Sequence, residues 1–384
     1  MSFRLGGTEL PIPVFLAPMA GVTNSAYRQL CREQAESVTN LRPAGVFTCE
    51  MITARGITER IPKTFAMMAP DTNDGFFSVQ LSGVDPAVVG KAVTIACGER
   101  GVKHIDLNFG CPVPKITRKG GGGVLPWKLD RFAAILNAAV QAGEPFSVPV
   151  TIKTRIGIDD DRITMFDAGR IAEDAGIAAI QLHARTVDQA YSGKARWEAI
   201  AELVQAVSIP IIGNGDIWEA TDALSMMEQT GCAAVSIGRG ALGRPWLFRD
   251  LARAMVEGAN EPSLPTSTEV VQMVRRHAEL LIGHFGEEWH GLADLRKHMS
   301  WYFKGFSLGG ELRYALGMVS SLTQLDDLLA QVPADEPFPA HELNSPRGRQ
   351  GSPRSKVVMP YGWLESRTLD DFDLSGADED AQGG

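Results

Sequence analysis

Eight short, β-rich apolar runs recur between residues 14 and 257, and helix-like segments lie between them. The runs are VFLAPM (Val14–Met19), GVFTCEM (Gly45–Met51), FFSVQLS (Phe76–Ser82), HIDLNFG (His104–Gly110), VPVTIKTR (Val148–Arg155), AAIQLHA (Ala178–Ala184), IPIIGNGD (Ile209–Asp216) and AAVSIGRG (Ala233–Gly240). Helical patterns over Pro86–Cys97, Arg131–Gln141, Phe166–Ala175, Trp197–Val207 and Ala220–Gln229 separate them. Strands that alternate with helices imply a parallel sheet, because each crossover returns the chain to the same end. Eight such units in about 240 residues fit a closed (β/α)8 TIM barrel, an α/β fold. An open doubly wound sheet calls for a glycine-rich phosphate loop after its first strand. The first run ends instead in APMAGVTN (Ala17–Asn24).

At 384 residues the chain exceeds one ordinary core, so a second unit is expected. The barrel is assigned to residues 1–258. The pattern breaks in NEPSLPTST (Asn260–Thr268), a linker with Ser/Thr helix caps. Helical spacing in VVQMVRRHAELLIGHF and ELRYALGMVSSLTQLDDLLAQV predicts a small all-helical domain over 266–332. Residues 333–384, rich in Pro, Gly, Ser and acid, read as a largely disordered acidic tail. One apolar island within it, VVMPYGWL (Val357–Leu364), is able to dock on the folded body.

The net charge of -9 is unevenly placed: residues 334–384 carry ten Asp and Glu against five Lys and Arg, so only -4 belongs to the rest. An acidic total therefore does not exclude a nucleic-acid partner, since phosphate contacts depend on local patches. No apolar run approaches the roughly 20 residues that span a bilayer, and the start MSFRLGGTELPIPV has no signal-peptide pattern. The five cysteines are scattered and form no C-x-x-C pair, which argues against a disulfide framework or a metal site. The expectation is a cytoplasmic monomer with no membrane association and no obligate protein partner.

In barrels of this kind, catalytic groups gather at the C-terminal ends of the strands. Unusual polar residues fall at those ends here: Glu50, Gln80, Asn108 followed by Cys111, then Lys153, Arg155, His183, Arg185, Asn214, Asp216 and Arg239. Any one of them can be a polar plug of the barrel top, but the set at one face marks an active site. The turns Gly213–Asp216 and Gly238–Gly240 follow the seventh and eighth runs, where such barrels bind phosphate. Lys153 reads equally as a Schiff-base nucleophile or as a partner for an electron-rich cofactor ring. Cys111 stands past a strand end in NFGCPVPKITRKGGGG, near Lys115, Arg118 and Lys119. Those cations would depress a thiol pKa if close, and the run Gly120–Gly123 suggests a mobile loop.

Taken together, these pieces resemble the tRNA-dihydrouridine synthases. The matching segments are APMAGVTN, Gln80 in SVQLSG, NFGCP (Asn108–Pro112), IKTRIG (Ile152–Gly157), LHART (Leu182–Thr186), GNGDI (Gly213–Ile217), IGRGALGRPWLF (Ile237–Phe248) and RKHMSWYFKG (Arg296–Gly305). They cover residues 10–320 in the family's order. The GGGG run and the acidic tail depart from the family's pattern.

The resemblance implies a bound FMN, NADPH as reductant, and reduction of the uridine C5–C6 double bond in the tRNA D-loop. Pro18, Met19 and Ala20 would line the flavin with their backbone, and Gln80 and Lys153 would hydrogen-bond its edge beside His183. Asn214, Gly215, Asp216, Gly238 and Arg239 would hold its phosphate. Cys111 would be the general acid at uracil C5, with Asn108 and Arg155 at the substrate. The target base must leave its stack to reach such a pocket. Arg296, Lys297 and His298 would contact tRNA, whereas Trp301 and Tyr302 read either as stacking residues or as helix core. The competing readings are a flavin barrel reducing a small pyrimidine-like molecule, a Schiff-base aldolase, and a non-catalytic RNA-binding protein.

Overall fold

The first described residues fold back on themselves. The strands β1 (Phe3–Leu5) and β2 (Thr8–Leu10) pair antiparallel around a turn that Gly6 enters at φ 58°. The computed structural model describes residues 3–70, 74–348 and 356–369. Phe3, Leu5 and Leu10 pack in one cluster with Phe15, Val46, Phe76, Ala179, Ile212 and Ala234. Those partners lie at or near the starts of the barrel strands, so the hairpin stoppers the end opposite the strand C-termini.

The remaining strands are β3 (Val14–Leu16), β4 (Val46–Phe47), β5 (Ile52–Thr53), β6 (Ser78–Ser82), β7 (His104–Phe109), β8 (Val150–Arg155), β9 (Ala179–His183), β10 (Ile211–Asn214) and β11 (Ala234–Ile237). They form one parallel sheet in the order β4-β3-β11-β10-β9-β8-β7-β6-β5. The second predicted run, Gly45–Met51, thus holds only β4, beside β3, and a separate strand β5 follows it beside β6. Between them Thr48 bridges Ser78, and the Cys49 amide donates to the Ser78 carbonyl, which closes the ring. The strand breaks where the Glu50 carboxylate turns to accept the Gly21 amide at 2.7 Å.

Side chains of successive strand residues face opposite ways. In β7, Ile105, Leu107 and Phe109 face the helices, whereas His104, Asp106 and Asn108 point into the barrel. A buried polar column results, each member satisfying the next as burial requires. The Ser78 hydroxyl meets His104 Nδ1 at 2.7 Å, and His104 Nε2 meets the Thr151 hydroxyl at 2.8 Å. That hydroxyl donates to Asp106 at 2.6 Å, and Gln80 donates to the other Asp106 oxygen at 2.7 Å. Asn108 in turn donates to Gln80 at 2.8 Å. The column runs from the barrel floor to the loop that carries Cys111.

The crossover helices follow their sequence punctuation. The helix Pro86–Arg100 starts behind the Asp85 cap with Pro at its first turn and stops at Gly101, φ 64°. In the C-terminal part, Thr266 and Glu269 form a capping box that opens the helix Ser267–Phe285. The helix Glu288–Tyr302 packs against it. Their core also includes Ala26 and Trp246 from the barrel portion, so the two parts share one apolar seam.

Where the tail is described, over 333–348 and 356–369, parts of it pack on the folded body, including the island Val357–Leu364. Glu342 and Arg347 are buried, and Trp363 and Leu369 pack with Val124 and Ile158. The aromatic and apolar residues scattered through an otherwise polar stretch find pockets on the barrel, which offsets the ordering entropy that composition alone suggests is too costly. Residues 349–355 and 370–384 lie outside the described residues.

Candidate active site

A cavity of about 450 Å³ opens at the strand C-termini, a size usual for a cofactor or small-ligand site. Pro18, Met19 and Ala20 line it from the loop after β3, and Gln80, Asn108 and Cys111 from β6, β7 and the following loop. Lys153, Arg155 and His183 enter from β8 and β9, and Asn214, Gly215, Asp216, Gly238 and Arg239 from the last two strand ends. The structure thus brings these fourteen expected residues together at one mouth.

Each is fixed by its neighbours. Asn214 donates to the Ser236 carbonyl at 2.7 Å, which turns its oxygen toward Lys153 Nζ at 2.8 Å. Burial pulls the Lys153 ammonium pKa down, and Asp106 beneath it pulls back up. Burial likewise lifts Asp106 above the usual carboxylate range. A lysine with a lowered pKa also meets the condition for Schiff-base chemistry, so Lys153 alone does not choose between readings.

Asp216 sits at φ 54°, in the left-handed region that Asp tolerates better than most residues. Its carboxylate accepts both Arg185 bonds at 2.8 Å and the Ala195 amide at 2.7 Å, with Arg239 at 3.5 Å. That side chain is spent on arginines, so only the backbone of Asp216 is left to face an anion. Arg239 lies between two aromatic faces, with Tyr191 at 4.8 Å and Trp218 at 5.3 Å. This holds its planar guanidinium without neutralising it.

Three cations, Lys153, Arg155 and Arg239, line the cavity with the single carboxylate Asp216. Arg155 is buried, donating to the carbonyls of Gly110 at 2.7 Å and of Thr186 and Ala190 at 2.9 Å. Burial brings its pKa down to about 10. His183 is pushed well below its ordinary value, first by burial and then by Arg155, Lys153, Arg185 and Arg239. It is neutral at physiological pH. A dry wall with excess positive charge fits an anionic ligand, and a flavin phosphate with an electron-rich ring edge meets that requirement.

Cys111 overturns two expectations. Its pKa is raised, chiefly by burial, with Arg155 the cation that opposes this. Lys115, Arg118 and Lys119 do not depress it. The glycine run is also packed, not open: Gly120–Gly123 are all buried. A β-carbon on Gly122 would stand 2.6 Å from the Cys111 carbonyl oxygen, and one on Gly123 would meet a Val187 methyl. The Gly123 amide donates to the Cys111 carbonyl at 3.0 Å. Asn108 completes the turn by accepting the amides of Gly110 at 3.2 Å and Cys111 at 3.0 Å.

The expected RNA contacts divide. His298 has no exposed surface and packs between His277 at 4.7 Å and Tyr27 at 5.5 Å, so it cannot touch RNA. Its place on the inward face of the helix Glu288–Tyr302, in step with Leu295 and Tyr302, explains this. Tyr302 is core as well, whereas Trp301 lines the cavity. Arg296 donates to the Val319 carbonyl at 2.7 Å and is half-buried. Lys297 is exposed, paired with Asp294, and its Nζ lies 3.8 Å from where a β-carbon on Gly21 would sit. That places it at the mouth.

Sequence reasoning missed Asp106, Tyr191 and Trp218. Asp106 had a signal in the two-residue spacing His104, Asp106, Asn108 along one strand. The two aromatics stand in loops, where no periodicity reports their direction.

The profile of the dihydrouridine synthase family matches residues 15–335. A probable tRNA-dihydrouridine synthase from Mycobacterium tuberculosis is 51% identical over 364 residues, covering 94% of this chain and 92% of the relative. A tRNA-dihydrouridine synthase B from Pseudomonas aeruginosa is 37% identical over 345 residues, covering 90% of this chain and 98% of the relative. Among solved structures, a 6-hydroxypseudooxynicotine amine oxidase from Pseudomonas geniculata N1 aligns with TM-score 0.50 at 10% identity, over 94% of this chain and 68% of that one. That last is a likeness of fold alone. With the family pattern running through barrel and helices alike, the chain belongs to the dihydrouridine synthase family of oxidoreductases.

Proposed function

We propose that the chain reduces the C5–C6 double bond of uridine in the tRNA D-loop, with bound FMN, NADPH as reductant, and Cys111 as proton donor. The observation that carries this reading is the protonated Cys111 thiol at the rim of a cationic cavity, in a chain whose relatives are named for the reaction.

FMN, when bound, supplies the hydride for uracil C6. Gln80 and Lys153 are placed to hold the ring edge, and the positive charge of the wall favours its electron-rich form. Gly215, Gly238 and the backbone of Asp216 would take the phosphate, with Arg239 as its counter-charge. The thiol of Cys111 gives its proton to C5, so one hydride and one proton saturate the double bond. Burial suits this role, because a raised pKa keeps the proton on sulfur until charge develops at carbon. Solvent then reprotonates the thiolate. Lys297 at the mouth would meet the RNA backbone, and Arg296, beside it in sequence, would add a phosphate contact.

Among the described residues no helix is long and apolar enough to cross a membrane, and a tRNA substrate places the reaction in the cytoplasm. The test is direct. Purified protein should be yellow and should convert uridine to dihydrouridine in tRNA from a synthase-deficient strain, with NADPH consumed in step. Free uracil as the preferred substrate, or a protein that takes up no FMN, would overturn the reading.

A further inference from the structure

The loop after β7 does not hold itself. From Cys111 the chain passes through the buried glycines into the short 3-10 helix Gly122–Trp127. The far side of that helix is covered by residues 357–369, from more than two hundred positions downstream. Trp363 is 1% exposed, and its indole N–H donates to the Val124 carbonyl at 3.1 Å. Arg367 Nε donates to the Trp127 carbonyl at 3.0 Å, and its terminal nitrogen pairs with Asp167 at 2.6 Å.

The contacts also run the other way. Lys128 is buried and donates to the carbonyls of Ser366 at 2.9 Å and Thr368 at 2.8 Å. Its ammonium stands 5.0 Å from the Trp363 ring centre. The Leu129 amide donates to the Arg367 carbonyl at 2.8 Å, and the Leu369 amide to Asp130 at 3.0 Å. Carbonyls that a short 3-10 helix leaves open are thus satisfied by the downstream segment.

The contacted Val124 follows directly on the pair Gly122 and Gly123: the Gly123 amide donates to the Cys111 carbonyl, and a β-carbon on Gly122 would meet that carbonyl. We infer that residues 357–369 are a brace that sets the position of Cys111, with Trp363 as its main positioning residue. The inference rests on Cys111 being the proton donor. The brace touches neither the cavity nor the reacting atoms, since no residue of it lines the pocket. It acts through the backbone: Trp363 fixes Val124, the glycine pair fixes the Cys111 carbonyl, and Asn108 fixes the Cys111 amide. A thiol held at both ends of its peptide keeps the geometry that proton transfer needs.

The test uses the full-length, flavin-loaded protein and two readings. The first is the rate of iodoacetamide alkylation at Cys111, followed by peptide mass spectrometry without tRNA or NADPH. The second is the split between kcat and KM on tRNA. Trp363→Ala should speed Cys111 alkylation by roughly threefold or more, as the loop opens more often. It should also lower kcat about tenfold with KM nearly unchanged. Trp363→Phe, which fills most of the pocket but lacks the N–H to the Val124 carbonyl, should restore only part of both readings. Tyr361→Ala, at a side chain 97% exposed on the same segment, should change neither.

If Trp363→Ala does not fold, Arg367→Ala releases the Trp127 carbonyl without emptying an aromatic pocket and decides the matter. A folded variant with wild-type alkylation and wild-type kcat overturns the brace, even if its melting temperature falls. Alkylation needs no turnover, so failure of the brace is distinguishable from failure of the proton-donor assignment.

Discussion

Cys111 draws its role from a balance between burial and charge. A nucleophilic cysteine needs its pKa lowered, whereas an acid needs the proton kept until it is wanted. Here burial outweighs Arg155, and the thiol stays protonated. Cys111→Ala should therefore keep bound FMN, since no flavin contact is assigned to it, and should lose turnover by about a hundredfold or more. Flavin absorbance and dihydrouridine content measure the two sides. Turnover at the wild-type rate would remove Cys111 from the chemistry. The same scale shows where residue type misleads: Asp216 reads as a phosphate ligand, yet its carboxylate serves Arg185 and Arg239.

At the scale of elements, the helix Glu288–Tyr302 separates binding from stability within two adjacent residues. Lys297 faces out at the mouth, and His298 faces the core. Lys297→Ala should weaken tRNA binding severalfold and reduce the slope of log affinity against log salt by about one, with the melting temperature nearly unchanged. His298→Ala should do the reverse. Equal effects of both on tRNA affinity would refute the division.

The barrel was legible because each strand announces itself by apolar composition and each helix by period and caps. Gln80, Lys153 and Asn214 were legible because they are polar residues in the C-terminal halves of otherwise apolar strand runs. His298 was not, because a histidine in a mixed helix does not declare its face. The strand β5, just past GVFTCEM, was equally hidden, since it pairs with β6 and not with β4. In the tail, composition hid the burial of Glu342 and Arg347, whereas the apolar island that holds Trp363 was legible.

At the scale of the molecule, acid should be destabilising. Burial pulls His104 and His277 down to about 3, and pushes His183 and His298 well below their ordinary value. Above about pH 6.5 these rings are neutral whether folded or not. Below it the unfolded chain takes up protons that the folded one refuses, so stability is lost as pH falls from 6.5 toward 3. His104 and His277 each cost about 2 kcal/mol at pH 5. Asp106, raised by burial, works in the opposite sense between about pH 6 and 4 and offsets part of this. Denaturant unfolding at pH 7 and pH 5 measures the net loss, and equal stabilities would show that the histidines are not buried neutral.

The contacts between Lys128 and the carbonyls of Ser366 and Thr368 span 238 and 240 positions of sequence. Closing so long a loop costs entropy before it returns any contact energy, so pairings of this kind form late. Most of the barrel's strand pairs join neighbours in sequence order, but the β3–β11 pair that closes it is also long-range, setting Val14 beside Val235. A chain that has completed its barrel is then not yet a finished catalyst. Closing the barrel and seating the thiol both wait for segments far downstream of the strands they complete.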